Sequence, residues 1–85
     1  MVNVAPDLVI EAISRNDKGE EMEGKVQEYF DAGVRLIWLL YPKTRTVHVI
    51  HADGRALRLT ANATLSGEAV VPGFAVLVGD LFQRE

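Results

Sequence analysis

The sequence contains no cysteine, which excludes a disulfide framework, a thiolate metal site and a cysteine nucleophile. It also lacks a basic excess: nine Lys and Arg stand against twelve Asp and Glu, for a formal charge of -3. That balance argues against a protein that coats nucleic acid through a broad cationic surface, while an enzyme acting on nucleic acid needs only local cations and a metal. No basic-then-apolar N-terminal segment reads as a signal peptide. The longest apolar run, LIWLLY at residues 36–41, is far too short to cross a bilayer. The expectation is a cytoplasmic protein with no membrane partner, in which the Asn62-Ala63-Thr64 sequon has no meaning. There is no Ser-His-Asp arrangement, phosphate-cradling glycine loop or zinc-binding spacing. His48 and His51 differ in strand parity, so they read as exposed or edge residues and not as a metal pair.

What is present is a composition of 48% apolar and 25% charged residues, that of a folded domain. A chain of 85 residues buries only about 60% of its unfolded surface, so stability is marginal and any exposed apolar face favours self-association. There is no internal repeat, low-complexity tract or interdomain linker.

The stretch APDLVIEAIS, residues 5–14, alternates as a strand does, and keeps two carboxylates in an otherwise apolar run. Side chains two apart share a face. Asp7, Val9, Glu11 and Ile13 therefore line one side, and Leu8, Ile10, Ala12 and Ser14 the other. Two readings follow: a half-buried strand with a wet face, or a metal-binding edge. Asp7 and Glu11 stand about 13 Å apart along a strand, too far to grip one ion by themselves. Asp7, after Pro6, is equally a strand-entry residue.

Met22, Val26, Tyr29, Phe30 and Gly33 follow one helix face, predicting a helix from about Glu20 to Ala32. Glu20, Glu21 and Glu23 suit its positive end as a solvated start, and Gly33 suits the position past its C-terminus. Gly24 weakens it by roughly 1 kcal/mol relative to Ala. Residues 34–42, VRLIWLLYP, are apolar on both faces, the mark of a central strand in which Trp38 is a core residue. Strand, helix and strand with short connections predict a right-handed βαβ crossover and a parallel pair. In TRTVHVIHADGRALRLT, a three-residue loop at Ala52-Asp53-Gly54 pairs Val49 with Leu57 and Val47 with Leu59. This gathers four apolar residues on one face and gives Gly54 the left-handed position. The tail predicts a short strand at Glu68–Val71, a Pro72-Gly73 turn, an apolar run from Phe74 to Val78 and a last helical turn at Gly79–Phe82.

Taken in order, PDLVIEAIS, Lys25 with Tyr29, GVRLIWLLYP, TVHV, VPGF and DLF resemble the C-terminal half of the Uma-two family of restriction-endonuclease-like proteins, within the PD-(D/E)XK nuclease superfamily. The matching elements run from Pro6 to Phe82. The resemblance implies that Glu11 takes the place of the (D/E) residue of the superfamily motif. The motif's usual lysine would fall at Ile13; the family places it on the following helix, which implies Lys25. The superfamily's first metal-binding Asp sits on a strand preceding this segment, and typical members are roughly twice as long. Residues 1–85 thus read as a single truncated or minimal nuclease-like domain. The chain departs from the family at Arg15, where Pro is usual, at Leu36-Ile37, where a Glu-Tyr-like pair is usual, and at Tyr41, where Asp precedes Pro42.

The expected fold is α+β: a twisted mixed β-sheet with a βαβ crossover and one main helix, partly restriction-endonuclease-like. The expected function is Mg2+-dependent hydrolysis of a DNA phosphodiester, with Glu11 and Lys25 catalytic and Asp7 and Glu11 as metal ligands. Against these stand plainer readings: Glu11 as a solvated strand residue and Lys25 as a lysine snorkelling beside an apolar helix face. The alternative function is a non-catalytic homodimeric assembly module that buries the uncovered sheet edge and helix face.

Overall fold

The computed structural model describes residues 6–14 and 18–82, so Arg15 lies outside the described residues. The chain runs β1 (Leu8–Ala12), α1 (Gly19–Asp31), β2 (Leu36–Tyr41), β3 (Thr46–His51), β4 (Ala56–Leu59), β5 (Thr64–Ser66), β6 (Ala75–Leu77) and a 3-10 turn (Val78–Phe82). The first four strands form one sheet in sequence order, and β5 and β6 form a second of two strands. This is the expected α+β class, with the mixed sheet, the crossover and the single main helix in place.

β1 and β2 are parallel, with Leu8 opposite Leu36 and Glu11 opposite Leu39. A parallel pair cannot be closed by a tight turn, and α1 makes the crossover. Val26 on α1 is buried together with Val34, Ile37 and Leu39, and Val9, Ile13, Met22, Tyr29 and Phe30 pack around them. The helix face foreseen from spacing is the face that docks. Its end is closed by the amide of Val34 donating to Tyr29 O at 3.0 Å and that of Gly33 to Phe30 O at 3.0 Å.

β2 is covered on both faces, as its unbroken apolar sequence requires. Leu36 and Trp38 enter a second core with Val47, Val49, Leu65 and Val78, roofed by the small sheet. Trp38 is a core residue, its ring centroid 5.5 Å from that of Phe74. The β3–β4 hairpin has the three-residue loop and the register read from parity: Val49 faces Leu57 and Val47 faces Leu59, and Gly54 sits at φ +95°.

Three expectations need correction. The Asp7-to-Ile13 face of β1 is not a wet face, because α1 covers it and takes Val9 and Ile13 into its core. Exposure falls on the other side, where Leu8 still packs on the second core but Ile10 is 54% exposed. The tail strand lies at Thr64–Ser66, while residues 68–71 form a turn. One apolar residue, Leu65, in a three-residue strand leaves no periodic signal, whereas the apolar pair Val70-Val71 imitates one. Lastly, the two histidines are half-buried and not exposed. His48 stacks on Tyr41 at 4.3 Å between centroids, and the Nε2 of His51 lies 2.9 Å from both carboxylate oxygens of Glu68.

That turn is tightly closed. The Val71 amide donates to Gly67 O at 2.9 Å and the Gly67 amide to Phe74 O at 2.9 Å, and Glu68 takes φ +54°. A Cβ on Gly67 would overlap the carbonyl oxygen of Val71 and lie 2.8 Å from its Cβ. Gly24 is the opposite case: a Cβ there meets nothing within 4 Å. Gly24→Ala should therefore raise stability by about 0.5–1 kcal/mol, and Gly67→Ala should lower it by about 1–3 kcal/mol through overpacking. Urea denaturation of the two variants measures both; a Gly67→Ala midpoint equal to that of the parent would contradict the close packing.

Candidate active site

β1 bonds to β2 alone among the described strands, so it is an edge of the sheet. Glu11 sits one residue before its end, on the side that faces α1. Lys25 and Tyr29 are four apart on α1 and so share a helix face. The crossover brings that face over β1, and both side chains converge on one carboxylate oxygen. Lys25 Nζ donates to Glu11 Oε1 at 3.0 Å, and Tyr29 Oη donates to the same oxygen at 3.3 Å. Glu11 Oε2 has no hydrogen-bond partner among the described residues.

The accessibilities of the pair differ in a useful way. The Glu11 side chain is 23% exposed and that of Lys25 50%. An ion pair this open to water contributes about 0–1 kcal/mol, so it does little for stability. A carboxylate reachable from solvent, already oriented by two donors, is what binding a hard cation requires.

The other sequence-derived residues fall around this cluster or outside it. Ile13 packs against the core beneath α1, so a charge there would be buried, and the lysine beside the Glu11 carboxylate is the helix-borne Lys25. Asp7 is exposed at the entry of β1. Its backbone oxygen accepts from the amides of Arg35 at 3.0 Å and Leu36 at 3.1 Å, which anchors the parallel pair. Four residues of extended strand span about 13 Å, so Asp7 and Glu11 cannot grip one ion by themselves. Among the described residues no three His, Asp or Glu side chains cluster as a metal cage. The donor set therefore fits Mg2+ as one carboxylate of a site completed by water and substrate phosphate, a usual way for this ion to be held.

Beyond the end of β1 the parallel strands open into a cleft of about 670 Å³, lined by Ala12, Ile13, Ser14, Tyr41, Pro42, Lys43 and Thr44. Clefts at the C-terminal ends of parallel strands are habitual ligand sites. Across the sheet, register puts Glu11, Leu39, His48 and Arg58 in one row. Partial burial, and after it the Arg58 guanidinium, hold the His48 pKa below its ordinary value of 6.5.

The role of Tyr29 was not legible from spacing alone. Its place four residues after Lys25 was the available signal, but the ring also completes the apolar helix face, which conceals the hydroxyl's task.

The Uma2 family, described as "Putative restriction endonuclease", matches residues 1–79. Among solved structures, a putative nuclease belonging to DUF820 from Anabaena variabilis ATCC 29413 is similar with a TM-score of 0.81 and 21% identity. The likeness covers 94% of this chain and 45% of that one, so this chain spans less than half the neighbour's length. At that identity the likeness establishes the nuclease-like fold. No curated relative matches.

The His48 environment gives a pH dependence. Because its folded pKa is depressed, unfolding takes up a proton in the window between the folded value and about 6.5. The contribution is whole above that window and is lost as pH falls through it. Urea midpoints at pH 7.5 and 5.5 should drop for the parent and drop less for His48→Gln; equal drops would contradict this origin.

Proposed function

This chain belongs to the Uma2 family, and from that premise we propose that it carries part of the active site of a cytoplasmic, Mg2+-dependent DNA endonuclease. The observation that carries the reading is the contact of Lys25 Nζ with Glu11 Oε1 at 3.0 Å. It joins a carboxylate on an edge strand to a lysine fourteen residues away, the two groups that phosphodiester hydrolysis needs side by side.

Glu11 binds the ion through a hard oxygen. The ion, when bound, supplies charge neutralisation and a more acidic water. Lys25, beside Glu11, offsets charge on the non-bridging phosphate oxygens as water adds to phosphorus and the bond to one sugar oxygen breaks. Lys43, at the rim of the neighbouring cleft, offers a second cation for the phosphate backbone. Asp7 lies too far along β1 to share an ion with Glu11; in this reading it assists only from the strand entry.

The expected outcome in titration calorimetry is one Mg2+ or Mn2+ bound per chain, lost in Glu11→Ala, with Mg2+-dependent nicking of plasmid DNA lost in Glu11→Ala and Lys25→Ala. Binding that persists in Glu11→Ala would contradict the assignment.

One observation favours a second reading, a non-catalytic homodimeric assembly module. Ile10 is 54% exposed on β1, which pairs with β2 alone among the described strands, and an apolar edge of this kind invites pairing. Sizing chromatography should then show a dimer that Ile10→Lys converts to monomer without metal dependence; a monomer at high concentration would end this reading.

A further inference from the structure

We propose, resting on the reading of Glu11 as a metal ligand, that Tyr29 is a positioning residue: its hydroxyl fixes Glu11 so that Oε2 is the oxygen that meets the cation. A carboxylate offers two oxygens with about four lone-pair directions, and unrestrained it turns freely among them. Here both protein donors fall on Oε1, Lys25 Nζ at 3.0 Å and Tyr29 Oη at 3.3 Å. Two donors on one oxygen restrain the carboxylate, and neither of them bonds to Oε2.

The two donors differ in how firmly they are held. The Tyr29 ring packs against the core formed by Val26, Ile37 and Leu39, so its hydroxyl stays where the ring puts it. The side chain of Lys25 is half exposed on a flexible four-carbon stem. Tyr29 is therefore the firmer of the two restraints, and it keeps the carboxylate in place. Hydrogen bonds that orient a ligating side chain are worth about 10- to 100-fold in metal affinity when removed.

The test is Mn2+ titration calorimetry on the parent chain, Tyr29→Phe, Glu11→Gln and Phe30→Leu, with urea unfolding of each in the absence of metal. Tyr29→Phe keeps the ring and removes only the hydroxyl. Phe30→Leu disturbs the same core without touching Glu11. The expected result is a loss of about 10-fold in affinity for Tyr29→Phe, no binding for Glu11→Gln, and parental affinity for Phe30→Leu despite its lower stability. Parental affinity in Tyr29→Phe, with binding still lost in Glu11→Gln, would overturn the positioning role and leave Tyr29 as a core residue. An equal fall in Phe30→Leu would overturn it as well, by assigning the effect to packing. No binding by the parent chain, or equal binding by Glu11→Gln, would instead remove Glu11 as a ligand, and the role of Tyr29 with it.

Discussion

The parallel pairing of β1 with β2 is the constraint on which the rest depends. Two strands running the same way need a long crossover, and among the described residues the element between them is α1. Once Val9 and Ile13 are apolar on the side the helix must cover, α1 has a fixed seat. Helix spacing then places Lys25 and Tyr29 over β1, and Glu11 lies beneath them. The site follows from topology: a carboxylate on an edge strand meets a lysine and a tyrosine that sequence separation alone would keep apart.

The energetics of that meeting are modest, which is itself informative. A half-exposed ion pair contributes little to stability, and a leucine at position 11 would satisfy the same apolar face without leaving a carboxylate oxygen unpaired. The cluster is therefore better explained by what it holds ready than by what it stabilises. Its two donors differ in setting, the tyrosine packed against the core and the lysine side chain half exposed. The 670 Å³ cleft beyond the strand ends has Lys43 in its lining.

Much of this was legible in the sequence where local and global preferences agree. The hairpin register followed from parity, because a one-residue slip would move Val47 and Val49 off the face shared with Leu57 and Leu59. The central strand declared itself by being apolar on both sides, and the helix by its spacing. Family resemblance singled out Glu11 and Lys25 as site residues, but their direct contact at 3.0 Å has no signal in either local pattern. Where reading failed, short elements were the reason. β5 has three residues and one buried side chain, and the turn after it is held by backbone bonds at Gly67 that leave no periodic trace. The side of β1 that stays wet was also misread, because exposure there is decided by where the roof of the second core stops and not by the strand's own alternation.

The measurement that goes most directly to the central claim is paramagnetic broadening of the amide signals of 15N-labelled protein by a trace of Mn2+. Broadening centred on Glu11, with Ala12, Lys25 and the facing Leu39 and Leu40 next in order, is the predicted result. Broadening centred instead on the acidic start of α1 at Glu20, Glu21 and Glu23, or absent altogether, would contradict the account.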